Sequence, residues 1–290
     1  MKSERHKRDV AVLCAAILLC ALQTLARAVD SQSEYVRAQI VAEVQSIQPG
    51  TPFWLGVRFQ IEDDWHLNWI NPGDAGLAPS IRWQLPDGFS ATEIVWPYPR
   101  TYRIGPLVIY GYDEDLLLMT RVTPPADMPG VNRVEIAADV DWLACAEACV
   151  PGRAELKTTL PVRSSQPRFH DRWRREFEDA RQDHPLPSAV WNVQAFADDE
   201  QRFVLEVRCN DPRDNTIANC WFYPLASDVI EHAEPQQFSA RMGGFDLVLL
   251  RARMSTEMPE RINGVLVANP GWDRSGERRA ISVDVPLERR

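Results

Sequence analysis

The chain has 290 residues, 45% of them hydrophobic and 25% charged, with a formal net charge of −9. That acidic balance argues against a nucleic-acid partner, because phosphate binding needs a basic face. The length suffices for one large domain or two ordinary ones of ~100–150 residues each.

The first 28 residues read as a secretory signal. A basic stretch, MKSERHKRD, precedes an uncharged run from Val10 to Leu22, and Ala26-Arg27-Ala28 supplies the small-x-small pattern that signal peptidase cuts after. That run is shorter than the about 20 residues a spanning helix needs. Neither Cys14 nor Cys20 follows the small residue of a lipoprotein cleavage site, so both belong to the apolar core of the signal. Processing removes five Lys/Arg and two Asp/Glu, carries the formal charge to −12, and leaves Cys145, Cys149, Cys209 and Cys220. Outside the cytosol an even cysteine count is read first as disulfides. No later segment approaches the roughly 18 uncharged residues of a membrane helix, so the processed protein is not expected to span a membrane.

From Tyr35 to about Val162 the sequence is a succession of short β-type runs. "FWLGVRFQI", "SIRWQL", "EIVWPYP", "LVIYGY", "DLLLMTRV" and "NRVEIAADVDWL" are rich in Val, Ile, Trp and Tyr, and are separated by "QPGTP", "NPGDAG", "LPDG", "TPPADMPG" and "VPG". Many short strands with Pro/Gly turns predict an antiparallel sandwich. Between Pro167 and Pro187 the texture changes: Phe169, Trp173, Phe177 and Ala180 recur at helical spacing among charges, which predicts one amphipathic helix bridging two domains. Strand-like runs return in "VWNVQAFA", "RFVLEVRC", "CWFYPL", "FDLVLLRARM", "GVLVA" and "RAISVDVPL". The expected organisation is all-β: a signal peptide over 1–28, a sandwich over 29–165, a helical linker over 166–187 and a second sandwich over 188–290.

"VDWLACAEACVPG", residues 140–152, carries the chemistry. Cys145 and Cys149 are separated by three residues, not the two of a thioredoxin-type site at a helix start. Facing each other across a tight turn, they come within reach of a disulfide. So small a ring gains little from loop closure and suits opening and closing. A purely structural bridge is the competing reading. Zinc wants four ligands and no second Cys or His pair lies nearby in sequence; a copper(I) clip between two thiolates is chemically reasonable.

The strings "DDWHLNWINPGDAGLAPSIRWQLPDGF" (63–89), "VWPYPRTY" (95–102), "IYGYDEDLLL" (109–118) and "VDWLACAEACVPG", in that order, resemble the N-terminal periplasmic domain of the thiol:disulfide interchange protein DsbD, in its ScsB-like, suppressor-of-copper-sensitivity branch. The resemblance covers about 130 residues strongly and the C-terminal half weakly. It implies an immunoglobulin-like sandwich in the periplasm whose cysteine pair shuttles electrons from a thioredoxin-like domain or membrane electron-transfer protein to client disulfides. By position Cys149 matches the attacking cysteine and Cys145 its resolving partner. The family's cap loop falls on Val108, Ile109, Tyr110 and Gly111, an apolar lid over the pair. Two departures stand out: the family's best-known member has five residues between its cysteines, and it has acidic residues where this chain has Leu107 and Val108. Asp113, Glu114 and Asp115 read as a solvated turn.

The remaining motifs read as structural. His66 belongs to a strand, and "NPGDAG" to a turn in which Gly73 and Gly76 supply backbone freedom and Asp74 caps its own loop. Cys209 and Cys220 bracket a polar ten-residue loop, which predicts a hairpin disulfide worth ~2–3 kcal/mol. No metal site or cofactor is expected. The alternative function is a non-catalytic binding module, a client adaptor or copper(I) carrier, with a permanent 145–149 bridge.

Overall fold

A computed structural model describes residues 34–188, 191–198, 201–209, 217–255, 257–273 and 275–289. The expected signal peptide lies outside the described residues, as do residues 210–216 of the loop between Cys209 and Cys220.

Ten strands fill residues 36–161: β1 (Val36–Ala42), β2 (Phe53–Ile61), β3 (His66–Gly73), β4 (Ser80–Gln84), β5 (Ser90–Ala91), β6 (Arg100–Ile104), β7 (Leu107–Tyr112), β8 (Leu116–Thr123), β9 (Arg133–Cys145) and β10 (Cys149–Pro161). They make a four-stranded sheet in the order β1-β2-β8-β5 and a six-stranded sheet in the order β10-β9-β3-β7-β6, with β4 also on β9. Alternation decides which face goes inward. On β9, Val134, Ile136, Ala138, Val140, Trp142 and Ala144 are buried, while the residues between them face outward. Across the core Phe59 meets Trp142 edge to face, ring centroids 5.8 Å apart. Burying each such side chain stabilises by about 1.5–3 kcal/mol.

The helix α1 (Arg174–Gln182) occupies the middle of the predicted span. Its Phe177 and the preceding Trp173 pack on Val41, Leu117 and Met119, on the outer face of the four-stranded sheet. Arg181 pairs with the buried Glu43 at 2.7 Å, and Arg58 with Glu176. The aromatic stripe is shorter than the sequence pattern implied: Phe169 lies before the helix and is 52% exposed. Its backbone bridges Val44.

The rest of the chain forms β11 (Leu186–Pro187), β12 (Trp191–Ala197), β13 (Arg202–Cys209), β14 (Asn219–Pro224), β15 (Gln237–Arg241), β16 (Gly244–Leu250), β17 (Arg261–Asn269) and β18 (Ala280–Arg289). β14, β17 and β18 make one layer, and β12, β13, β16 and β15 the other. β18 belongs to both: it is antiparallel to β17, and its end runs parallel to β12 from Ala195↔Leu287 to Ala197↔Arg289. The all-β, two-sandwich reading therefore holds, with parallel pairing where β18 meets β11 and β12 and a single parallel bridge between Ile47 and Val162 among the described residues. The second core centres on Phe203, Phe222, Phe245 and the edge-to-face pair Trp191–Trp272.

The two sandwiches share a tight seam. Tyr223 of β14 packs edge-on against Trp69 and Tyr110 of the first sandwich. Asn71 Nδ2 donates to the Pro224 carbonyl at 2.8 Å, the Thr101 and Tyr223 hydroxyls lie 3.0 Å apart, and the Tyr110 hydroxyl lies 3.1 Å from His232 Nδ1.

Candidate functional site

β9 and β10 form one long hairpin, in register from Pro161↔Arg133 to Cys149↔Cys145. Its tip is the Ala146-Glu147-Ala148 turn, closed by the Ala146 N–H donating to the Ala148 carbonyl at 3.0 Å. The last pair before the turn is the two cysteines. They are bonded to each other, with Cα atoms 4.1 Å apart. The hairpin is held by its inner face, where Gly152 lies opposite Trp142 and leaves room for the indole. The sulfurs belong to the outer face.

The two cysteines are unequal. Cys145 is 3% exposed, whereas Cys149 is exposed at the rim. Cys145 is covered because β3 lies on its other side, where its register partner is His66. The ring of Tyr102, from β6, stacks on His66 with centroids 5.6 Å apart and planes 17° from parallel. Gly111 lets β7 approach β3 closely at this point: a Cβ there would lie 2.3 Å from the Leu67 carbonyl oxygen. Burial pulls the His66 imidazole below its usual range, and the Asp113 charge pulls it back up. Burial, with Asp113 adding to it, pushes the Tyr102 phenol well up.

Several sequence expectations are corrected here. Val108, Ile109, Tyr110 and Gly111 are not a lid over the cysteines. They lie in β7, paired to β3 on one side and β6 on the other, and all four are buried. β3 separates them from β9, and Tyr110 is committed to Tyr223 and His232 of the second sandwich. A segment with ladder bonds on both edges cannot swing aside as a lid must.

Asp74 ties its loop to β7: its carboxylate accepts from the Val108 N–H at 2.7 Å, while the Asp74 N–H donates to the Val108 carbonyl at 2.8 Å. The side chain that caps the turn is Asn71, whose Oδ1 accepts from the Gly73 N–H at 3.0 Å. Gly73 and Gly76 do adopt positive φ, 82° and 117°. The acidic turn is clamped as well as solvated, with Arg100 on Asp113 at 3.1 Å and on Glu114 at 3.0 Å, and Arg58 on Asp115.

The expected Cys209–Cys220 hairpin bridge is absent: both thiols are free and buried. The two strands do not form a hairpin. β13 pairs with β12 and β16, and β14 pairs with β17, so Cys209 and Cys220 belong to different layers. Burial pushes the Cys220 thiol far up.

Tyr102 and Asn68 are the members of this neighbourhood that sequence reading does not assign, and it places Asp113 only in a solvated turn. Asn68 is fully buried on the outer face of β3, and its amide has no hydrogen-bond partner among the described residues. Only pairing across strands reveals these neighbours. Among the described residues no group of three or more His, Cys, Asp or Glu is arranged to hold a metal ion, and no helix is long and apolar enough to cross a membrane.

Comparison with known proteins fits this geometry. Residues 32–161 match the family model described as thiol:disulfide interchange protein DsbD, N-terminal. No curated protein matches the chain. Among solved structures, the N-terminal periplasmic domain of ScsB from Proteus mirabilis superposes with a TM-score of 0.58 at 13% identity, covering 88% of this chain and 94% of that one. At that identity the likeness shows the fold alone. The major pilin subunit BcpA of Bacillus cereus matches at a TM-score of 0.27 and 10% identity, covering 88% of this chain and 69% of that one, too loosely to bear on the fold.

Proposed function

Residues 32–161 are a DsbD N-terminal-like domain, and from that premise we propose that the protein is an exported thiol-disulfide exchange protein. It passes electrons from a thioredoxin-like domain or membrane electron-transfer protein to disulfides of periplasmic clients through Cys145 and Cys149. The observation that carries this reading is the inequality of the pair: one sulfur at the rim of a hairpin tip, its bonded partner buried beside it.

The reaction gives the two sulfurs different roles. A donor thiolate attacks the exposed Cys149 sulfur, and the electron pair of the breaking bond leaves on Cys145. The donor's second thiol resolves the mixed disulfide, leaving the Cys145/Cys149 dithiol and an oxidised donor. Cys149 thiolate then attacks a client disulfide, releasing one client thiol. Cys145 attacks Cys149 and expels the second, so two electrons have moved to the client. The small ring favours this traffic, since closing so short a loop contributes little.

Equilibration in glutathione buffers followed by thiol trapping and mass analysis tests the proposal. The expected result is a 145–149 couple with a potential above about −300 mV, the region of inert structural bridges. Cys149→Ala abolishes client reduction, and Cys145→Ala accumulates mixed disulfides. A pair that stays bridged throughout the glutathione range, with both variants indistinguishable from the parent, assigns a permanent clip instead.

A further inference from the structure

Cys145 lies in a lateral row that crosses β10, β9 and β3 and reaches the turn after β7. Its partner on β10 is Cys149 and its partner on β3 is His66. On the far side of β3 the register sets Leu67 against Tyr112, the last residue of β7, and Asp113 follows it into the turn, near enough for its charge to act on the His66 ring. Directly opposed residues of antiparallel strands put their side chains on one face, with Cβ atoms roughly 4.5–5.5 Å apart. The outer face therefore carries, in order, an imidazole, a buried thiol and an exposed thiol, with the Asp113 carboxylate in the turn beyond the imidazole.

The row meets a need that the exchange reaction creates. A mixed disulfide on Cys149 is resolved only by the Cys145 thiolate, yet Cys145 is 3% exposed. Burial in apolar surroundings disfavours a thiolate, and the proton has no direct way to bulk water. The neighbouring group able to take it is His66, itself 7% exposed and covered by the Tyr102 ring.

Resting on the exchange reading above, we propose that His66 accepts the Cys145 proton when the disulfide closes, with Asp113 as a positioning residue that holds the imidazole ready for it. In closure the Cys145 Sγ–H gives its proton to the ring. The freed electron pair forms the bond to Cys149 Sγ, the Cys149–client bond breaks, and its pair leaves on the client sulfur as a thiolate. The protonated ring, its proton affinity lowered by burial, then gives the proton up to solvent and is neutral again for the next cycle.

The electrostatics agree with this assignment. Burial keeps the ring neutral near pH 7, as a proton acceptor must be, while the Asp113 charge opposes that shift and favours the protonated form once it exists. Other ionisable groups at the row include Tyr102, which stacks on His66; Arg100; Glu114, linked to Asp113 through Arg100; and Glu147 on the cysteine turn. Arg100 is engaged by both Asp113 and Glu114.

The test uses the reduced full chain and dithiobis(nitrobenzoate), an aromatic disulfide that releases a coloured thiolate. Attack by Cys149 gives a first equivalent of colour, and ring closure by Cys145 gives the second. His66→Gln is expected to slow the second phase by about 10- to 100-fold, with the slowing confined to that phase. Asp113→Asn, at an exposed position that leaves the fold intact, is expected to move the pH inflection of the second phase downward, because the charge that raises the imidazole is gone.

Equal slowing of both phases in His66→Gln, no slowing, or an unmoved inflection in Asp113→Asn overturns the assignment. A parent protein that never releases the second equivalent fails the exchange reading itself, a result distinct from any of these.

Discussion

A Cβ on Gly152 would lie 2.2 Å from Cε2 of Trp142, inside the indole that the β9–β10 hairpin buries. Trp142 is 4% exposed and wedged against Phe59 from the opposite sheet, so it has nowhere to retreat. Gly152→Ala is therefore expected to cost about 1–3 kcal/mol through overpacking. Urea unfolding measures it, and a variant as stable as the parent would show that the indole has slack. Because this packing anchors the arm that carries the cysteines, the loss should loosen the tip as well.

The unequal exposure of Cys145 and Cys149 has a direct chemical readout. After mild reduction, iodoacetamide should alkylate Cys149 faster than Cys145 by about 10-fold or more, since access to the thiolate governs the rate. Peptide mass analysis over a time course separates the two. Equal rates would contradict the buried placement of Cys145.

Cys209 and Cys220 make the opposite prediction. Both are buried as free thiols, so neither should be labelled in the native, unreduced protein. Unfolding in denaturant without reductant should expose both, adding two alkyl groups between them. If neither is labelled under denaturant, the two are bridged after all.

His184 predicts a pH dependence of stability. Burial first, then Arg181 and Arg278, pull its imidazole from the usual 6.5 down to about 4. Between those values the unfolded chain binds the proton that the folded protein refuses. Its contribution is thus complete above pH 6.5 and is lost as the pH falls towards 4, by on the order of 2 kcal/mol for a partly exposed ring. His66 acts in the same sense, lowered by burial and partly restored by Asp113. Asp183, raised by its burial, works the other way, losing stability as the pH rises from its unfolded value through its folded one. His184→Gln should flatten the slope of unfolding free energy between pH 4 and 6.5; an unchanged slope would remove His184 from the account.

Local pattern carried the sequence reading a long way. Alternation from Val134 to Ala144 and the turn after Cys145 are properties of adjacent residues, and they identify the hairpin that carries the disulfide. Trp173 and Phe177 likewise declare the helix through their spacing. What sequence could not supply was which strand lies beside which. "LVIYGY" looks the same as a lid or as an inner strand, and only its ladders to β3 and β6 decide. Cys209 and Cys220 are near in sequence, yet their strands turn to different partners. The His66–Cys145 relationship spans two strands far apart in the chain and leaves no periodic trace.

β18 closes both layers of the second sandwich, so that sandwich cannot be completed until the last strand has emerged during synthesis or export. The first has its strand partners within residues 36–161 and is free to assemble earlier. In that interval Trp69 and Tyr110 lack the Tyr223 ring that later covers them, leaving a sticky aromatic face on a half-made molecule. A chaperone or a misplaced neighbour would meet the nascent chain there.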